Sequence, residues 1–308
     1  QQQKEHAKKL RLLSAAIIGL IVVGFLIHFF YRRQKHLKEI QTAYNKLEDA
    51  YGKLEATTKA KERIDSELRI AHSIQEGMVP RTFPAFPDRN DIDLYASMTP
   101  AKEVGGDLYD YFLLPPSLRD GDERLCFCIG DVSGKGVPSA MFMSVVVNLF
   151  RIVAKEGKTP AQIATKVNEA VAADNENCMF ATMFIGEIDL RTGVMEYCNC
   201  GHTPPVVGGQ FLSMPETNAP IGLWSGLEFK GHTVEGMKDK MLLLYTDGVT
   251  EAENMDQKQT GDDWLIDILK EHPMDNAREL IGDILREVAT HVGDAEPSDD
   301  ITLLCLKV

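Results

Sequence analysis

The stretch LCFCIGDVSGKGVPSAM, Leu125 to Met141, is an apolar run that stops at a single carboxylate, Asp131. Gly130, Gly134 and Gly136 surround that carboxylate, and Pro138 opens a helical pattern behind it. A buried strand that delivers one acid to a glycine-rich corner has two chemical readings. A phosphate-cradling loop needs G-x-x-x-x-G-K-[ST], with the hydroxyl on magnesium. Here Gly130 to Gly134 is one residue too short, and Gly136 stands where Ser or Thr is required. The remaining reading makes Asp131 a metal ligand, and it requires further carboxylates from elsewhere in the chain.

Those carboxylates are present. EVGGDLYDYF places Asp107 behind Gly105 and Gly106 at the edge of a strand. MLLLYTDGVTEA ends an apolar strand at Asp247, and EPSDDITLLCL places Asp299 and Asp300 ahead of the last strand. Each alone reads as a turn aspartate. Four acidic strand ends in one domain read as an oxygen ligand set, which selects Mg²⁺ or Mn²⁺ over zinc. Two such ions about 3.5–4 Å apart hold a bridging hydroxide and neutralise a transferring phosphoryl group. Asp131 is the candidate bridge, because its glycine neighbours allow close approach.

The 308 residues allow one large domain with accessory segments. Residues 1–79 carry 14 Lys/Arg and 9 Asp/Glu, whereas residues 80–308 carry 19 and 37, a net charge of −18. That acidity argues against nucleic acid as a partner and suits a binder of metal cations. The cysteines, at 126, 128, 178, 198, 200 and 305, follow neither a zinc pattern nor a disulfide framework, and read as reduced core thiols. The chain begins at Gln1, and we read it as a fragment or processed product, which leaves room for a sensor domain upstream.

Residues 1–11 form a short basic segment, and residues 12–31, LLSAAIIGLIVVGFLIHFFY, are long and apolar enough to cross a bilayer. Basic residues flank the span, and Phe29, Phe30 and Tyr31 suit an interfacial belt. Residues 32–79 read as a signalling helix. Leu37, Ile40, Tyr44, Leu47, Tyr51 and Leu54 form a heptad seam, which resumes at Ile64, Leu68, Ala71, Gln75 and Met78 after a stammer-like break. A parallel dimeric coiled coil is expected, with a helix packed on its own domain as the alternative. VPRTFPAFP, Val79 to Pro87, closes that helix, and residues 80–308 are expected to form the catalytic domain. Its hairpin turning at Thr192–Gly193, its helix capped by Thr159 and its final strand ITLLCLKV predict an α+β fold of antiparallel strands with segregated helices.

The motifs PAKEVGGDLYD, GDVSGKGVPSAM, FATMFIGEID, CNCGHTPP, APIGL, LLLYTDGVTEA and SDDITLL, in this order, resemble the PPM-family (metal-dependent) protein serine/threonine phosphatases of the SpoIIE/RsbU-type branch. The resemblance covers about Leu68 to Val308. It implies two antiparallel β-sheets packed as a sandwich, flanked by α-helices, with two Mn²⁺ or Mg²⁺ ions at one end. It implies that Asp131 bridges the ions, that the Val132 carbonyl ligates one, that Asp247 and Asp299 complete the first site, and that Asp107 serves the second. Asp131, Asp107 and Asp247 are the expected catalytic residues. The implied substrate is a phosphorylated protein, such as a STAS-domain anti-sigma-factor antagonist. With the span, the expectation is a homodimer in the cell (inner) membrane with its catalytic domain cytoplasmic.

Eukaryotic members of that family carry DGHGG where this chain has DVSGKG, so the histidine proposed there as general acid has no counterpart. Lys135 and Lys102 are candidates to hold phosphate. His202, in CGHTPP, reads as a turn histidine before it reads as an acid. Two other functions compete with this reading. GGDLY resembles the GG[DE]EF core of diguanylate cyclases, but Leu108 replaces the required acid, and that chemistry has no use for Asp131, Asp247 and Asp299. A membrane-tethered pseudophosphatase that only binds a partner would not need the ligand set.

Overall fold

A computed structural model describes residues 2–119, 121–272 and 274–308. Contacts divide the chain into two units, Gln1–Glu67 and Leu68–Val308.

The first unit is helical, part of α1 (Gln2–Glu76). Its apolar stretch reaches a mean hydropathy of 2.6 over 18 residues, and none of that window is buried within the protein. Leu37, Ile40, Tyr44, Leu47, Tyr51 and Leu54 are likewise exposed. Leu68, Ala71, Gln75 and Met78, in the second unit, are instead half-buried or buried. Met78 packs on the core of that unit. The distal part of the heptad pattern is therefore used within the chain.

Among the described residues the second unit holds two antiparallel sheets of five strands. The first contains β1 (Asp93–Thr99), β6 (Val206–Val207), β7 (Gln210–Phe211), β9 (Leu242–Tyr245) and β10 (Ile301–Lys307), in the order β1-β10-β9-β6-β7. The second contains β2 (Leu108–Leu114), β3 (Arg124–Val132), β4 (Ala181–Asp189), β5 (Met195–Cys200) and β8 (His232–Val234), in numerical order. The expected antiparallel sandwich and its α+β class are what the structure shows.

Strand periodicity explains the layers. Leu242, Leu244, Leu304 and Leu306 face the large core shared with β2–β5, whereas Leu243, Tyr245, Leu303 and Cys305 face a second core. That second core is closed by α4 (Asp262–Glu271) and α5 (Ala277–Val292). On the other side α2 (Val137–Ala154) and α3 (Pro160–Ala172) cover the second sheet. The apolar α2 is long enough to cross a membrane, yet Met143, Val146, Val147 and Phe150 are fully buried, so it is a core helix. α3 starts as its sequence predicts. Gln162 N–H donates to Thr159 Oγ1, and Thr159 N–H donates to Gln162 Oε1, a reciprocal capping box.

Register places the acidic strand ends together. Leu108 pairs with Gly130, which sets Asp107 beside Asp131. Leu303 pairs with Tyr245, which sets Asp299 and Asp300 beside Asp247.

Candidate metal centre

Asp131 is the penultimate residue of β3 and lies opposite Thr182 of β4. Burial and the fields of Asp247, Asp299 and Asp300 push its carboxyl up to about 7, against a hydrogen bond with Asp107. Asp107 is 2 % exposed. Burial first, then repulsion by Asp131, holds its carboxyl well above the usual range. Thr246 Oγ1 donates to Asp107 Oδ2 at 2.8 Å, and Thr246 N–H donates to the Thr302 carbonyl at 3.0 Å. One threonine at the end of β9 thus ties the first sheet to an acid of the second. Asp247 opens a single 3₁₀ turn, Asp247–Val249. Its carboxyl is raised by burial and by Asp299, with the Gly248 N–H and Lys135 opposing.

Adjacent Asp299 and Asp300 divide their work. Asp300 is buried, and accepts from Ala101 N–H at 2.8 Å and from Gly106 N–H at 2.7 Å. It is a backbone clamp. Asp299 is more open and faces the Lys135 ammonium at 2.8 Å, which also donates to the Ser298 carbonyl at 2.6 Å. Lys135, a candidate in the sequence to hold phosphate, is therefore held on Asp299. Lys102 is exposed.

Gly105 and Gly106 are required by close approach. A Cβ on Gly106 would stand 2.8 Å from the Val132 carbonyl oxygen and 3.4 Å from Asp131 Oδ1. A Cβ on Gly105 would collide with the Asp300 carboxylate. The Val132 carbonyl is thus kept clear beside Asp131.

His202 lies inside the fold, just past the end of β5. It is 7 % exposed, with Nδ1 2.9 Å from Thr182 Oγ1, and its backbone exchanges hydrogen bonds with the Asn199 side chain. Burial pushes its imidazole down to about 4 against the pull of the Tyr245 carbonyl, so it is neutral at pH 7. It is a packing and hydrogen-bonding group between β4, β5 and β9.

Two functional contacts were not foreseen from the sequence. Thr246 is one; its only signal was its place before Asp247. Gln75 is the other. It is 4 % exposed, its Nε2 donates to the Gly105 carbonyl at 2.6 Å, and its Oε1 accepts from Gly105 N–H at 3.2 Å. A polar residue in an otherwise apolar heptad position was the signal available.

The donor set suits a hard divalent cation. It consists of carboxylates and a carbonyl, and the raised carboxyls of Asp107, Asp131 and Asp247 show negative charge short of compensation. Among the described residues no three His, Cys, Asp or Glu side chains close on one point as a finished ligand shell.

Known proteins resemble this chain in sequence and in fold. The family model described as Stage II sporulation protein E (SpoIIE) matches residues 121–308. The chain is 29% identical over 273 residues to Protein IcfG of Synechocystis sp., covering 78% of this chain and 41% of that protein. It is 26% identical over 262 residues to the phosphoserine phosphatase RsbU of Bacillus subtilis, covering 84% of this chain and 75% of that one. The SiaA-PP2C domain of Pseudomonas aeruginosa has the same fold, with a TM-score of 0.69 at 18% identity over 81% of this chain and 98% of that one. Because the matched segment runs from β3 to β10 and takes in Asp131, Asp247 and Asp299, the chain belongs to the SpoIIE family of PPM-type protein serine/threonine phosphatases.

Proposed function

We propose that this chain is a membrane-anchored, metal-dependent phosphatase that removes phosphate from phosphoserine or phosphothreonine on a protein partner. The observation that carries this reading is the strand register that sets Asp107 beside Asp131 and Asp247 beside Asp299 and Asp300 at one end of the sandwich. Burial and neighbouring carboxylates there raise the carboxyls of Asp107, Asp131 and Asp247. Asp131, Asp247, Asp299 and the Val132 carbonyl would hold one ion and Asp107 with Asp131 a second. Two Mn²⁺ or Mg²⁺ ions there would supply the positive charge that a transferring phosphoryl group needs. The chain's own groups organise that site. Thr246 orients Asp107, Asp300 fixes the Gly106 backbone, and Lys135 steadies the segment that carries Asp299.

The substrate class follows from charge and family. A net charge of −18 on residues 80–308 disfavours free nucleotides and nucleic acids. A STAS-domain anti-sigma-factor antagonist carrying phosphoserine is the partner that the RsbU-type resemblance supports. The purified chain in detergent should hydrolyse p-nitrophenyl phosphate with Mn²⁺, lose that activity in EDTA, and regain it when Mn²⁺ is restored. It should also prefer a phosphoserine protein over ATP at matched concentration. Turnover that survives EDTA, or equal use of both substrates, would count against the reading.

Residues 12–31 are proposed to span the membrane, and residues 32–79 to pair two chains. Support for pairing comes from the exposed seam Leu37–Leu54, which has no cover of its own. Residues 32–308 should sediment as a dimer, and replacing both Leu47 and Leu54 by Lys should shift it to monomer. A wild-type monomer at micromolar concentration would refute the pairing.

A further inference from the structure

A cleft of about 220 Å³ adjoins the carboxylate cluster, and its apolar side has no part in the chemistry above. One wall is the second half of α5, through Leu285, Val288, Ala289 and Val292, which stand at i, i+3, i+4 and i+7. Ile301 and Pro297 continue the apolar lining. The helix already buries Leu280, Ile281, Ile284 and Val288 in its core. Leu285, half-buried, and Ala289, exposed, widen the apolar face beyond what the core takes up.

The opposite wall borders the candidate metal centre at Asp299. Gly248, directly after Asp247, lines the cleft together with Ser298 and Asp299, the two residues on which Lys135 is held. A molecule seated here touches Asp299 and the glycine directly after Asp247, at the edge of the carboxylate cluster. The cleft is smaller than the roughly 300–1,000 Å³ typical of small-molecule sites, so it holds one side chain and not a cofactor. Exposed acids stand near it in the sequence, Glu251 on one flank and Asp294 and Glu296 on the other. They disfavour an acidic neighbour on the occupant.

We propose that this cleft receives one aliphatic side chain of the phosphoprotein substrate, from a position about two or three residues from the phosphorylated serine or threonine. That separation spans roughly 7–10 Å of extended chain. The inference rests on the phosphatase reading and adds a sequence preference to it. Protein partners with Leu, Ile or Met at that position would be selected, and those with Asp or Glu there rejected.

The experiment uses the full chain in detergent with Mn²⁺, p-nitrophenyl phosphate, and phosphoserine peptides that carry Leu, Ser, Lys or Asp at each of the three positions on either side. Wild type should favour Leu over Ser at one position by at least about tenfold in kcat/KM. Ala289→Phe, at an exposed helix position, should fill the cleft and abolish that preference while p-nitrophenyl phosphate turnover stays within about twofold. Ala289→Glu should move the preference from Leu toward Lys. The proposal is overturned if wild type shows no aliphatic preference, or if both variants change p-nitrophenyl phosphate and peptide turnover alike. A chain inert toward p-nitrophenyl phosphate and every peptide would remove the phosphatase reading itself, and this inference with it.

Discussion

Asp131→Asn should lower p-nitrophenyl phosphate turnover at least about 1,000-fold, because groups that act as one unit lose nearly everything when one is removed. Asp247→Asn should do the same. The variant should nonetheless be more stable in chelator than the parent chain. Asp131 sits near 7 in the folded protein and near 3.8 when unconstrained, so the fold disfavours its ionised form. Its contribution to stability is fully present below about pH 4 and is lost as pH rises through 7. The Asn variant avoids that loss. Its advantage should therefore grow between pH 4 and 7 and level off above 8, reaching roughly 2–4 kcal/mol. Urea titrations in EDTA at pH 5 and pH 8 measure it. A variant that keeps its activity, or whose stability difference is flat with pH, would contradict the assignment of Asp131 to a crowded anionic site.

Gln75→Ala should cost about 10- to 100-fold in kcat/KM and raise the Mn²⁺ concentration needed for half-maximal rate. The amide makes both of its hydrogen bonds to the backbone of Gly105, two residues before Asp107. The chain around it is also fastened to the domain. Arg151 Nη2 donates to the Met78 carbonyl at 3.0 Å, and Tyr109 Oη donates to the Pro80 carbonyl at 2.7 Å. Removing the amide leaves a buried carbonyl and N–H unpaired, which costs about 1–3 kcal/mol each. Two readouts separate positioning from simple destabilisation. Mn²⁺ binding by calorimetry should weaken at a temperature where circular dichroism shows a native fold. Unchanged Mn²⁺ affinity with a lowered melting point would make Gln75 only a structural bond.

Much of this arrangement was legible because strand ends announce themselves. Apolar runs that stop at Asp131 and Asp247 gave both the strands and the acids, and Thr159 with Pro160 gave a helix start. Less visible was anything set by long-range contact. β8 is three residues long, and α4 has Gly261 at its N-cap and hence no side-chain cap, so neither has a strong local signature. The division of labour between Asp299 and Asp300 depends on which of them meets the Ala101 and Gly106 amides, a contact across about 200 residues of chain. Gln75 was assigned to a helix seam because periodicity reports a face and not the neighbour that the face meets.

The acids come from both layers of the sandwich: Asp107 and Asp131 from the β2–β3 side, Asp247 and Asp299 from the β9–β10 side. A cation held among them would therefore be a strut between two sheets as well as a reagent. At a free concentration one hundred times its dissociation constant it would add about 2.7 kcal/mol to the folded state. Without it, the seam between the sheets at this end relies on Thr246, the Asp300 clamp and the Lys135–Asp299 pair. Cellular supply of the ion would then set how firmly the two layers are joined, and the working end of the domain would also be its most ion-sensitive hinge.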